Sequence, residues 1–527
     1  MKNALRVAAT GFPPLRDGVK QMPINDLQEL ERIEKVLAHS VPFGDSDYIL
    51  QCTWQRYERR LEMLIEHMPS SETLLAAIRD ASSERKYRVI GDPVLRGTIN
   101  EALGHYKLGL SHPHADDLDA VMLDAVAFLA EDRSDTPVTA SFRTSRRLGD
   151  APHHGWLYSQ DNSEGVFSRS FVSLWGRVTP LRIQEPTEHH HRTLMNAARL
   201  LDALLPALSR SALSHTQMIV MVEPPPSRLP PPSKGFTSVT FPELFGTIVL
   251  APTVMETTWL AAEYLLHESM HLKFTDLEHT HSLLRTGYRT STSPIVRPPW
   301  HRPEPSRNWP VNRCLTVMHV YVTLALFFST IERRAAELEN DFGPLGDLDP
   351  ALEARRSFDR SHFLGRALRQ HEAELGLAGV QFVRWLTETI NAFDPCPPPA
   401  DAEVHLLLDM YGREADELQA HLDARVPAPS VIQLVEEITT KELNKAHDVL
   451  LTLGKPSDAQ VTFSEKVPVA AKFRAARAWV KESLGCVPIE TYSQTYEGKK
   501  TPAELVQELI DGSGDDVQAL YTQLASA

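Results

Sequence analysis

His267-Glu268-Ser269-Met270-His271 constrains this chain more than any other stretch of its sequence. Residues four apart share one face of an α-helix, so both imidazoles can aim at one metal ion, with Glu268 beside the first of them. The flanks are apolar, Leu265 and Leu266 before the motif and Leu272 and Phe274 after it. Thr253 followed by Glu256 reads as a capping box that opens the helix. A covered helix of this kind needs neighbours, and the pattern on either side supplies them.

Upstream, Leu27, Leu30, Ile33 and Leu37, then Tyr57, Leu61, Leu64 and Ile65, recur at helical spacing, so residues 20–135 are expected to be helices. Residues 165–183 are rich in β-branched and aromatic side chains and read as one or two strands, followed by a helix from Thr193 to Leu208. Gln217 to Val222 reads as a buried strand. Prolines 224–226 and 230–232 then impose an extended loop. Residues 236–251 read as a hairpin or two strands closing near Gly246. A proline-dense loop over 286–313 leads to a long apolar helix from about Arg313 to Leu338, and 394–399 reads as a linker. The expectation is a mainly α protein with a small β component (α+β), its helical metal-binding core flanked by helical regions. The boundaries are 1–210, 211–394 and 395–527, within the roughly two to four domains that 527 residues suggest. The N-terminal region is expected to help recognise substrate.

Lysine plus arginine is 54 against 69 aspartate plus glutamate, a formal charge of −15. That argues against nucleic acid or an anionic membrane as partner. Cys52, Cys314, Cys396 and Cys486 form no CxxC pair, which fits a reducing cytosol, with Cys314 read as a core residue. The N-terminus lacks a signal-peptide core. The most apolar run, Leu315–Ile331, is interrupted by His319, Thr323, Ser329 and Thr330 and reads as a buried helix rather than a membrane span.

Two helical histidines leave a metal site unfinished, since catalytic sites usually hold three protein ligands. A metzincin spacing would need glycine at 274 and histidine at 277, where Phe274 and Leu277 stand. A gluzincin would need a glutamate on the next helix, often about 20 residues on, and no acid occurs between Glu278 and Glu304. His279 and His281 fall off the face of His267 and His271. His319, on the apolar helix after the proline loop, is therefore the candidate third ligand, ahead of Glu332 and Glu337. The Glu188-His189-His190-His191 tract points its rings in different directions and is not read as a site. Between 285 and 313 lie Arg285, Arg289, Arg297, Arg302, Arg307 and Arg313, with Glu304 as the one acid. Guanidinium forks bind carboxylates with paired hydrogen bonds, so this segment suits a dicarboxylate beside the metal.

With these residues in view, segments 236–250, 260–274, 298–308 and 312–328 resemble the HExxH-motif family of peptide-modification proteins of bacterial natural-product gene clusters. The resemblance implies an Fe(II)- and 2-oxoglutarate-dependent dioxygenase that hydroxylates a side-chain carbon, often the β-carbon, of a peptide or amino-acid-like substrate. His267, His271 and His319 would hold Fe(II), and Arg302, Arg307 or Arg313 would grip the far carboxylate of 2-oxoglutarate. Three imidazoles would leave three positions for 2-oxoglutarate and dioxygen. Glu268 would act as a catalytic residue, as a carboxylate ligand or by orienting a ligand or water. The sequence departs from the family at His301, where arginine usually follows Pro-Trp, and in a longer loop before Arg313. The rival is a zinc metallopeptidase with Glu268 as general base. A non-catalytic metal-binding protein is the third reading.

Overall fold

The computed structural model describes residues 27–109, 115–131, 136–139, 144–159, 182–223, 237–301, 308–398, 403–424, 426–455, 467–492, 494 and 500–526. Most of the strand segment expected over 165–183 and the proline tract 224–232 lie outside these residues. The described chain is mainly helical with a small strand component.

Six helices come first: α1 (Leu27–His39), α2 (Ser46–Leu64), α3 (Pro69–Asp80), α4 (Ser83–Gly91), α5 (Pro93–Lys107) and α6 (Ala115–Ala130). Then follow β1 (Arg146–Arg147), β2 (Trp156–Leu157), β3 (Arg182–Ile183), α7 (Glu188–Leu204), α8 (Pro206–Leu213), β4 (Met218–Glu223), β5 (Ser238–Thr240) and β6 (Thr247–Leu250). Leu205 and Pro206 divide the helix expected over 193–208. Proline cannot donate the backbone bond that a continuous helix needs there, and it opens α8 instead.

The sheet runs β1-β2-β4-β6-β5. β4 lies parallel to β2 and to β6, while β5 returns antiparallel to β6 through Gly246 at φ 62°. Both faces of β4 are covered, which is why its sequence is apolar without alternation. Ile219 and Met221 join Ile248 and Leu250 in the central core. Met218, Val220 and Val222 join Val249 in a second core with α2 to α6.

The motif helix, α9 (Thr258–Thr280), lies over the central core. Its start differs from the expected capping box. Thr253 sits in a short 3-10 turn, Pro252–Met255, and the cap is Thr257, whose hydroxyl accepts from Leu260 N at 3.1 Å. After the short pair β7 (Ile295–Val296) and β8 (Trp309–Pro310) comes α10 (Val311–Phe342). By length and composition α10 could cross a membrane, yet 83% of its most apolar window is buried in the core. Cys314 is buried there, and burial pushes its thiol up to about 12. Helices α11 (Pro350–Gln370) and α12 (Leu377–Phe393) complete this layer. In the segment expected to be a linker, Asp394 is held by both terminal nitrogens of Arg355 at 2.8 Å and by His362 at 2.8 Å.

Helices α13 (Val404–Asp423), α14 (Pro429–Thr452), α15 (Val469–Gly485), α16 (Ile489–Tyr492) and α17 (Pro502–Ser526) pack around their own two apolar clusters. Arg477 and Glu442 form a buried ion pair at 2.6 Å between these clusters.

Beneath α9 runs a buried polar chain. Asp276 accepts from Arg96 at 2.7 Å and bonds His215 Nδ1 at 2.7 Å, and His215 Nε2 meets Ser46 Oγ at 3.1 Å. Ser46 meets Ser211 at 2.9 Å, and Lys273 donates to Ser211 Oγ at 2.7 Å and to the Gly44 carbonyl at 2.6 Å. Burial alone would raise Asp276, but Arg96 and His215 hold it well below the usual carboxylate range.

Asp92, the cap of α5, accepts from Leu95 N at 2.9 Å and is pushed by burial from 3.8 up to about 7. The folded state therefore binds the proton that the unfolded chain releases between those values, and its stability falls as pH rises through that window. Asp92→Asn keeps the cap and removes the titration. Denaturation in urea at about pH 4 and 7 is expected to show the wild type losing roughly 2–4 kcal/mol relative to the variant. Parallel pH profiles would disprove it.

Candidate metal centre

Helix α9 brings His267 and His271 together. Their Nε2 atoms lie 3.2 Å apart and their ring centroids 5.0 Å apart. Two nitrogens bound to one ion at about 2.1 Å stand about 3.0–3.4 Å apart for bond angles between octahedral and tetrahedral. The pair thus has the spacing of two ligands on one cation. Both residues are half-buried, and burial depresses both imidazoles, His267 to about 4. Neutral rings are the ligand form.

Helix α10 fixes one of them. His271 Nδ1 bonds Thr316 Oγ1 at 2.8 Å. With Nδ1 as donor, the lone pair lies on Nε2, the atom that faces His267. Tyr264, one turn before His267, stacks on it at 6.4 Å with 29° between planes. Thr316 was not singled out in the sequence. A threonine three residues before the candidate His319 is the signal that was available, because residues at that spacing share a helix face.

His319 is completely buried, and among the described residues neither ring nitrogen has a hydrogen-bond partner. Its ring packs edge-on against Phe382 at 5.3 Å and near Trp385 at 6.2 Å, both on α12. It does not close a trio with the motif pair. Among the described residues, the His, Cys, Asp or Glu trio with ligand atoms all within 4.8 Å is His153, His154 and Asp202. Thr316 occupies the position against His271, and His319, one turn on, faces α12. Burial holds the His319 imidazole far below its ordinary value, helped by the charges of Lys273 and His271.

Glu268 turns toward the sheet. Ser238 on β5 donates to its Oε1 at 2.6 Å, and the Thr240 hydroxyl also reaches it. Burial drives the carboxyl up to about 7 against these two hydroxyls. β5 ends the strand path, so Glu268 sits beneath the sheet's edge strand.

Of the arginines, Arg302 and Arg307 lie outside the described residues. Arg285 pairs with Glu374 at 3.0 Å, and Arg297 bonds Asn308 at 3.3 Å. Arg313 stands in the first turn of α10 with its guanidinium 4.6 Å from the Trp309 ring centroid. Its charge reaches His271, and among the described residues no carboxylate pairs with it. Trp300, from the proline loop, packs between Trp309, Tyr321 and Phe363 at 5.9, 6.0 and 5.3 Å.

The other histidines have different roles. His279 packs on Phe245, and its carbonyl accepts from Arg56. His281 lies against Phe43 and Tyr48. His190 completes a capping box with Thr187, and His191 bonds the Arg147 carbonyl at 2.8 Å. Glu332 and Glu337 are exposed, and Glu337 pairs with Arg334.

His271→Ala is expected to abolish retention of a divalent ion. Thr316→Val, which keeps shape and removes the hydroxyl, is expected to weaken binding by roughly 10–100-fold. Equilibrium dialysis measures both, and unchanged affinity in Thr316→Val would show that this hydroxyl does not set the ligand tautomer. No protein-family model matches the chain, and no curated protein matches it, so the residues and their geometry carry the functional reading.

Proposed function

We propose that this chain is an Fe(II)- and 2-oxoglutarate-dependent dioxygenase that hydroxylates a side-chain carbon, the β-carbon by the family likeness, of a peptide or amino-acid-like substrate. The observation that carries the proposal is the His267–His271 pair at ligand spacing beside Arg313, a cation without a carboxylate partner among the described residues. Fe(II) with 2-oxoglutarate and dioxygen would supply insertion of one oxygen atom into a C–H bond, the second entering succinate as CO2 leaves.

In this reading His267 and His271 hold the metal, and Thr316 orients the second ring. His319 would supply the third imidazole by turning its ring from α12 toward α9, because a fully buried ring with neither nitrogen partnered among the described residues is otherwise a costly thing to keep. Arg313 receives the far carboxylate of 2-oxoglutarate, while Trp309 shields the guanidinium on one face. Ser238 and Thr240 hold Glu268 under the edge of β5. That edge is open among the described residues, which suits an extended peptide adding alongside it.

One observation favours a second reading. Glu268 is a buried carboxyl next to the first motif histidine, the position from which a zinc peptidase's general base acts on metal-bound water.

Anaerobic addition of 2-oxoglutarate to the Fe(II)-loaded protein is expected to produce a weak visible charge-transfer band. Arg313→Ala is expected to raise the 2-oxoglutarate concentration needed for half of that band by roughly 10–100-fold. His319→Ala is expected to lose the iron. No band in the wild type, with zinc-dependent peptide cleavage that Glu268→Gln abolishes, would replace the oxygenase by the peptidase. Iron retained in full by His319→Ala would remove that residue from the ligand set.

A further inference from the structure

A second cluster of metal-binding side chains lies outside the α9–α10 interface, on elements that contribute nothing to the first. His153 and His154 occupy the turn between β1 and β2, and Asp202 lies in the last turn of α7. The turn is tightly built. Leu148 N donates to the Gly155 carbonyl at 3.0 Å, and His154 N donates to the Ala151 carbonyl at 3.0 Å. Gly149 leaves room for the His154 ring, since a Cβ at that position would stand 2.2 Å from His154 Nδ1.

Both imidazoles present the same atom to the same carboxylate. His153 Nε2 lies 3.0 Å from Asp202 Oδ1, and His154 Nε2 lies 2.9 Å from Oδ2. The rings stand edge to face, with centroids 4.7 Å apart. Ser209, on α8, donates to Asp202 Oδ1 at 2.7 Å and fixes the carboxylate from behind. Burial would raise Asp202, but His153, His154 and Ser209 hold it well below the usual range, so it is an anion at neutral pH. Among the described residues, Asp202 is the one side chain to which the two rings hydrogen-bond.

We propose that His153, His154 and Asp202 form a second divalent-cation site, suited to zinc and separate from the His267–His271 centre. Ligand atoms of one zinc ion stand about 3.0–3.4 Å apart, and the two nitrogen–oxygen separations already approach that range. All three ligand atoms lie within 4.8 Å of one another. Two imidazoles and one carboxylate match the nitrogen and oxygen preferences of zinc and leave a fourth position for water. Water can reach that position, since the His153 and Asp202 side chains are 15% and 32% exposed while His154 is 3% exposed. The ion would take the place of the two Nε2–H···O contacts, each ring then carrying its one proton on Nδ1, and would tie the β1–β2 turn to α7. Because Ser209 is on α8, one coordination centre would link the turn to two helices of the central core. The pattern in the sequence is a histidine doublet beside Gly155, with its acid 48 residues away from His154. That separation hides the site from a search for short motifs.

The test uses the full-length, metal-stripped protein carrying His267→Ala and His271→Ala, so that the first centre is silent whatever its function. Zinc is titrated in competition with a chromophoric chelator. The expected result is roughly one bound equivalent, accompanied by a rise in thermal midpoint. Asp202→Asn in that background is expected to lose both. His153→Gln, a change at a partly exposed position, is the second variant, and it is expected to lose zinc while far-UV circular dichroism stays unchanged. The proposal is overturned if the background protein takes up no zinc, or if folded Asp202→Asn and His153→Gln proteins both retain it.

Discussion

The Arg96–Asp276–His215 chain is the constraint on which the placement of α9 depends. It fixes a carboxylate inside an apolar core and joins the helix to α5 and to the segment before β4. A buried charge without its partner is strongly unfavourable, so the helix has one rotational setting in which Asp276 meets both groups. Ser269 reinforces that setting by bonding Thr216 at 2.8 Å, and Lys273 does so through Gly44 and Ser211. With these residues committed inward, His267 and His271 emerge on the face toward α10, and Glu268 emerges toward β5. The side chains that chemistry would use are thus oriented by side chains that take no part in it.

The same logic separates the two histidine constellations. In the α9 pair, the supporting hydroxyl of Thr316 bonds a ring nitrogen, and the two Nε2 atoms face one another at 3.2 Å. In the His153–His154–Asp202 cluster, the support is Ser209 on the carboxylate, and among the described residues His154 Nδ1 is buried without a partner. The first arrangement constrains a tautomer and sets two ring nitrogens toward each other. The second draws three donors onto one anion and constrains a turn.

Much of the helical frame was legible because periodic apolar spacing reports directly on helix faces, as at Leu30, Ile33 and Leu37, all now buried. The uninterrupted apolar run of β4 announced burial on both sides, and the i, i+4 spacing of the motif announced the imidazole pair. The cap was misplaced by four residues, because Pro252 opens a 3-10 turn that consumes Thr253 and passes the role to Thr257. The partners of the pair were hidden, since Thr316 and Ser238 reach it through tertiary packing that no local pattern encodes. His319 shows the limit most clearly. Apolar periodicity put it inside, yet whether a buried ring turns toward α9 or α12 is decided by Phe382 and Trp385, more than 60 residues downstream.

Among the described residues, the C-terminal bundle meets the rest through Leu406 in the central core and through polar contacts. Arg356 of α11 bonds Asp409 at 2.9 Å, and Arg413 of α13 donates to the Trp300 carbonyl at 3.0 Å. Trp300 is the last aromatic residue before the stretch that holds Arg302 and Arg307, and its ring leans on Trp309, beside Arg313. A displacement of Arg413 would therefore bear on Trp300 and, through its ring, on Trp309. A remote helical module is thereby coupled, through one backbone carbonyl, to the aromatic packing that supports the Arg313 guanidinium.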